Sequence, residues 1–164
     1  MILPQFYTDD IIKRAILEDI NYVDVASDYL ISEEQRDEAY FVSKADGVLC
    51  GIDVAMRVFE LLDDSFTAKV YMHDGDKVKK GDLIAEFSGK TTLLLKGERT
   101  ALNLLQHMSG IATATAKAVK LCEGTKASIA DTRKTIPSLR ALQKYAVTCG
   151  GVGTFQYLFV NIRH

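Results

Sequence analysis

The chain has 164 residues, 48% hydrophobic and 26% charged, with two prolines and no low-complexity run, a composition that excludes a disordered or fibrous chain and predicts a folded domain. Its formal net charge of −2 supplies no global basic field, which argues against a nucleic-acid partner and leaves anion binding to locally placed Arg and Lys. Cys50, Cys122 and Cys149 are far apart, without a Cys-x-x-Cys pair or a His at ligand spacing, so they read as reduced structural residues and no metal site is expected.

In chain order, the first region runs from Ile2 to about Glu38. Ile11, Ile12, Ala15 and Ile16 recur at helical spacing behind Asp9 and Asp10, which are read as the helix cap. Charges at Asp9, Asp10, Lys13, Arg14 and Glu18 interrupt any apolar run of signal-peptide type. No later segment approaches the roughly 20 apolar residues that span a bilayer. A cytoplasmic chain without a membrane partner is the expectation. Asp19 to Ser32 reads as a polar connection, with Ser32 before Glu33 and Glu34 as a turn or helix-start signal.

The second region, Ala39 to about Gly97, mixes short β segments with one helix. Strands are expected at Tyr40–Val42, Val48–Cys50, Phe66–Met72, Leu83–Phe87 and Thr91–Leu95, and a helix at Val54–Leu62. Turns are expected at Asp46-Gly47, at His73 to Asp76 and at Ser88-Gly89-Lys90. The natural architecture is a small, mainly antiparallel sheet or half-barrel with helices. Gly75 to Ile84 has the outline of a biotinyl or lipoyl carrier hairpin, but Lys77, Lys79 and Lys80 lack a Met-Lys-Met setting and read as a solvated loop. Asp74, Asp76 and Asp82 are balanced by those lysines and read as hairpin rather than cation loop. His73 and His107 read as surface or packing residues.

The third region, Glu98 to Gly151, carries the chemistry. A helix through Leu102, Leu105 and Gln106 is expected to stop at Ser109-Gly110, and a second helix to run from Ile111 to about Cys122. Ala127–Ala130 reads as a strand that leads into Asp131-Thr132-Arg133-Lys134-Thr135, with a helix starting at Ser138. Strand, polar turn and helix make a β/α unit, and in a parallel barrel the C-terminal end of such a strand faces the active site. Thr132, Arg133 and Lys134 fall there. A planar guanidinium fork beside a compact ammonium suits a ligand with more than one kind of anionic group, although a solvated basic turn has the same composition.

Glu98-Arg99-Thr100-Ala101-Leu102-Asn103, then Leu105-Gln106, Ser109 to Thr113, Ala130 to Thr135, and Lys144 to Val147 with Gly150-Gly151 together resemble the quinolinate phosphoribosyltransferase family, also called nicotinate-nucleotide pyrophosphorylase (carboxylating). Glu18-Asp19 with Asp24, and Ala45 to Val48 with Gly51, are similar to the N-terminal domain of that family. The resemblance implies an α+β fold: an N-terminal domain over residues 1–110 that includes the Arg99 helix, a linking helix and the start of an α/β barrel over 111–151, and a divergent tail over 152–164.

It also implies a glycosyltransferase that joins quinolinate to phosphoribosyl pyrophosphate, gives nicotinate mononucleotide, pyrophosphate and carbon dioxide in NAD biosynthesis, and uses Mg²⁺. On this resemblance Arg99 and Arg133 bind the quinolinate carboxylates, with Arg99 reaching the neighbouring subunit of a homodimer. Thr132 orients a carboxylate, and Lys134 serves the phosphoribosyl pyrophosphate side as the catalytic residue. The family's Asn-His-Arg triplet is not found after Gly151, where the sequence reads Val152-Gly153-Thr154-Phe155, and the later barrel strands and Mg²⁺ ligands are missing as well. A truncated or frameshifted product, inactive alone, is therefore expected. The alternatives are a non-catalytic dimerising fragment and a family relative acting on another base.

Overall fold

In the computed structural model, residues 3–20 and 29–152 are described. Asp24, most of the expected 19–32 connection and the tail from residue 153 lie outside the described residues. Helix α1 spans Gln5–Asp19, followed by β1 (Arg36–Val42), β2 (Gly47–Val48), α2 (Ile52–Glu60), β3 (Thr67–Val70), β4 (Lys77–Val78) and β5 (Leu83–Lys90). Helix α3 (Thr91–Cys122) and helix α4 (Arg140–Cys149) complete the order.

The sheet follows from alternation. β5 buries Ile84, Ala85, Phe87 and Gly89 and turns Glu86 outward, so it takes the centre of a three-stranded antiparallel sheet in the order β1-β5-β3. β2 and β4 form a separate antiparallel pair. Tyr40 pairs with Glu86 and Phe41 with Ala85, and the register shifts between Phe41 and Val42. On the solvent face the Tyr71 hydroxyl donates to Glu86 at 2.6 Å, and the Lys69 ammonium lies 4.8 Å from the Tyr71 ring centroid.

α2 covers the other face with a wide apolar side, Ile52, Val54, Ala55, Met56, Val58 and Phe59 being buried while Asp53, Arg57 and Glu60 form the polar stripe opposite. Phe59 stacks on Phe66 at 5.3 Å and on Phe87 at 5.0 Å, and Phe87 meets Phe41 edge-on at 4.9 Å. Such pairs add about 0.5–1.5 kcal/mol each beyond their buried area. α3 then lies across α2 with Leu94, Ala101, Leu104, Leu105, Met108 and Ala112 inward, and α4 packs on α3 through Leu142 and Ala146.

The fold class read from the sequence stands: helices with small antiparallel sheets and no closed barrel among the described residues. Several element boundaries differ. α1 starts four residues before Asp9, at Gln5, with Pro4 in the cap position and its carbonyl accepting from the Tyr7 and Thr8 N–H groups. Asp9 instead accepts from Arg57 Nε and an Arg57 terminal nitrogen, both at 2.9 Å. Thr91–Leu95 is helix and not strand, because Leu94 continues the inward stripe of α3. Ser88-Gly89-Lys90 is strand and not turn, since β1 extends far enough to pair Asp37 with Gly89 and Arg36 with Lys90.

The helix does not stop at Ser109-Gly110. Gly110 is absent from the positive-φ glycines, and packing outweighs its propensity cost of about 1 kcal/mol. Ala127–Ala130 forms no strand ladder among the described residues, and an extended segment without a partner strand has no ladder to stabilise it. Ser138 takes a left-handed conformation, φ 68°, so α4 begins only at Arg140.

Candidate functional site

Arg99 lies on the outer side of α3, between the buried Leu94 and Ala101. Its Nε donates to both carboxylate oxygens of Asp19, at 3.0 and 3.2 Å, so the end of α1 and α3 meet at a cation. The pair is partly solvated, with the Arg99 side chain 65% exposed and Asp19 25%. Such a contact fixes direction more than it stabilises, contributing about 0–1 kcal/mol.

Thr132, Arg133 and Lys134 are all exposed in the loop before α4. The Thr132 hydroxyl accepts from the Lys134 N–H at 3.1 Å, a local turn that sets the loop's direction. The Arg133 carbonyl accepts from the Arg140 guanidinium at 3.3 Å, and Arg140 Nε also donates to the Thr135 hydroxyl at 3.1 Å. Gln143 accepts from the Ile136 N–H at 2.9 Å through its carbonyl oxygen, and its amide nitrogen lies 3.0 Å from His107 Nε2 on α3. His107, read as a packing residue, thus helps dock the loop and α4.

The strongest anchor of this loop was not visible in the sequence. Lys144 Nζ lies 2.9 Å from Asp131, with the two side chains only 11% and 15% exposed. Nothing in the spacing of residues 131 and 144 marks them as a pair, because the contact depends on the loop folding back along α4. Arg99 stands apart from this cluster: roughly 12 Å of helix axis separates it from His107.

A second group of chemically able side chains lies away from the basic loop. Asp74 Oδ1 accepts from the Gly51 and Ile52 N–H groups at 2.8 and 3.0 Å, capping α2. Cys50 Sγ, Cys149 Sγ and an Asp74 oxygen all lie within 4.8 Å of one another. The hydrogen-bonding Cys149 thiol, then burial and the Asp74 charge, push the Cys50 thiol far above its usual range. Burial, then the Asp74 charge, raises the Tyr145 phenol beside them. Asp76 and Asp82 serve their own turns, accepting from the His73 N–H at 2.7 Å and the Lys79 N–H at 2.8 Å, and Lys77, Lys79 and Lys80 are exposed.

Two family models match the chain. The model of the quinolinate phosphoribosyl transferase N-terminal domain matches residues 24–109, and that of the C-terminal domain matches residues 111–160. The chain belongs to the quinolinate phosphoribosyltransferase family. Arg99 falls within the first match and Thr132, Arg133 and Lys134 within the second, and the two meet inside α3. The second match continues past Gly151 to residue 160, into the segment read from the sequence as divergent.

Among the relatives in this family, the probable nicotinate-nucleotide pyrophosphorylase (carboxylating) of Bacillus subtilis is 43% identical over 141 residues, 86% of this chain and 48% of that protein. The nicotinate-nucleotide pyrophosphorylase (carboxylating) of Mycobacterium leprae is 42% identical over 148 residues, 87% of this chain and 51% of that protein. The crystal structure of NadC from Streptococcus pyogenes superposes with a TM-score of 0.89 at 39% identity, covering 93% of this chain and 54% of that one. The chain thus spans about half the length of the curated relatives it matches.

Proposed function

We propose that this chain supplies the quinolinate-binding part of a phosphoribosyltransferase that joins quinolinate to phosphoribosyl pyrophosphate and releases pyrophosphate and carbon dioxide. The observation that carries the reading is the match to both family domains, with Arg99 on one and the Thr132–Lys134 loop on the other. Arg99 and Arg133 are assigned to the quinolinate carboxylates, where a guanidinium offers two parallel donors to each. Thr132 orients a carboxylate by hydrogen bonding, and Lys134 meets the phosphoribosyl pyrophosphate. The chemistry needs two polyanions side by side, so their charge has to be balanced before the ribosyl centre becomes cationic and pyrophosphate departs; positioning and charge stabilisation supply the rate.

The separation of Arg99 from the basic loop along α3 supports a homodimer in which each site takes Arg99 from the neighbouring subunit. Mg²⁺ is part of the same proposal, but the cluster of Cys50, Asp74 and Cys149 among the described residues offers two sulfurs and one carboxylate. That donor set does not fit a hard, oxygen-preferring ion. A cytoplasmic location is part of the same proposal. No helix among the described residues is long and apolar enough to cross a membrane.

The test is isothermal titration of quinolinate into the folded chain and into Arg99→Ala and Arg133→Ala. Binding that both substitutions abolish supports the assignment; binding that survives both overturns it. The pure chain is expected to give no quinolinate-dependent pyrophosphate release. A second reading is a catalytically silent dimerising fragment. A folded wild-type chain that binds no quinolinate and co-purifies with a full-length homologue would establish it.

A further inference from the structure

The fold gathers side chains that the sequence scatters. Cys50 precedes Gly51, the cap residue of α2, Asp74 lies in the turn before β4, and Cys149 is the last residue of α4, yet their ligand atoms lie within 4.8 Å of one another. We infer that Cys50, Asp74 and Cys149 form a zinc site, independent of the substrate-binding loop.

Three observations converge on this cluster. The donor set is two thiols and a carboxylate, the combination that selects a borderline-soft divalent ion over Mg²⁺ or Ca²⁺. A zinc–sulfur bond of about 2.3 Å in tetrahedral geometry places two ligand sulfurs just under about 4 Å apart, so the side chains close on an ion by small rotations. The scaffold behind the ligands is already tied down. Asp74 Oδ1 is held by the Gly51 and Ile52 N–H groups, which orients the carboxylate, and the Cys50 N–H and carbonyl are both bonded to the Ser109 hydroxyl at 3.0 Å. Outer contacts of this kind fix ligand direction in metal sites.

Access and charge fit as well. Asp74 and Tyr145 line a cleft of about 610 Å³ that Leu3, Thr8 and Arg57 also border, which gives an ion a route in from solvent. On binding, Zn²⁺ forms two zinc–sulfur bonds as the two thiols lose their protons to solvent, with no change in oxidation state. The two thiolates and the carboxylate then face a dication, and a water completes four-coordination. The ion links the end of α4 to two turns of the N-terminal region, and is structural.

Co²⁺ titration of the reduced chain tests the site, read by the intense thiolate-to-cobalt charge-transfer absorption. The wild type is expected to bind one equivalent, to release the metal to added zinc, and to show a higher thermal midpoint with zinc. Cys149→Ser is expected to lose the absorption and the thermal shift, Asp74→Asn to bind more weakly while keeping the amide oxygen that caps α2, and Cys122→Ser to behave as wild type. No charge-transfer absorption in the wild type, or its retention in Cys149→Ser, overturns the site. Should Cys149→Ser fail to fold by circular dichroism, Asp74→Asn decides: unchanged cobalt affinity overturns the site and weakened affinity supports it.

Discussion

Asp63 is only 6% exposed, yet its carboxylate is kept ionised by its neighbours. Burial raises its pKa, but the Ser65 hydroxyl at 2.6 Å, the Lys90 N–H at 2.8 Å and the Ser65 N–H at 2.9 Å outweigh burial, and the net shift is downward. A depressed folded pKa contributes stability that is present above the unfolded value of about 3.9 and is lost as pH falls through the lower folded value. Asp63→Asn puts an amide where only acceptors fit and is expected to cost about 1–3 kcal/mol at neutral pH. Its denaturation midpoint should also depend less on pH below about 4 than that of the wild type, which urea titrations at a series of acidic pH values will show. The Lys144–Asp131 pair makes a different prediction. Removing one partner from a nearly buried pair leaves the other uncompensated, so Lys144→Ala should destabilise by about 2 kcal/mol, below the full buried-pair range because water still reaches both groups. Calorimetry would measure this loss, and the Thr132–Lys134 loop should become more sensitive to protease in the same variant.

At the scale of elements, two close approaches decide how the helices stack. A Cβ on Gly97 would meet the Phe59 ring at 2.8 Å and Leu62 at 3.2 Å, and a Cβ on Gly150 would meet Thr115 Cβ at 2.5 Å and the Ala112 carbonyl at 2.6 Å. Gly97→Ala gains about 1 kcal/mol of helix propensity against an overpacking cost of about 1–3 kcal/mol, whereas Gly150→Ala has no comparable gain and meets backbone. Gly150→Ala should therefore lower the thermal midpoint more than Gly97→Ala, and the reverse order would show that α4 can shift on α3. The strands and α2 were legible in the sequence because Phe41, Ile84, Phe87 and Phe59 obey local periods. The cysteine cluster, the Asp131–Lys144 pair and the cap at Asp74 were not, because each joins positions well separated in the sequence that meet only once the chain has folded back on itself. The continuation of α3 was misread for a related reason: Gly110 carries a stop signal locally, and the packing that overrides it comes from Cys50 and α4. The basic residues Arg99, Arg133 and Lys134 could be named from the family motifs, but not that Asp19 pairs with Arg99.

At the scale of the whole molecule, the two family domains are joined within a helix, since the matches end at residue 109 and resume at 111 while α3 runs from Thr91 to Cys122. A helix of this length extends roughly 48 Å, and its two ends are fixed in angle as well as distance. Leu94 to Met108 commit one end to α2 and the sheet, and Ala112 and Thr115 commit the other to Gly150. One alanine inserted after Gly110 turns one commitment about 100° against the other, whereas seven inserted residues come close to two full turns and restore the angle though they add about 10 Å of axis, so both variants should lose cooperativity in unfolding and their difference measures the part that depends on angle. Circular dichroism melts of the two insertions would compare them directly. An ordinary linker tolerates changes in length because it carries no phase; this joint counts residues, and a gain or loss of one codon there would act as a change of angle between the two matched domains.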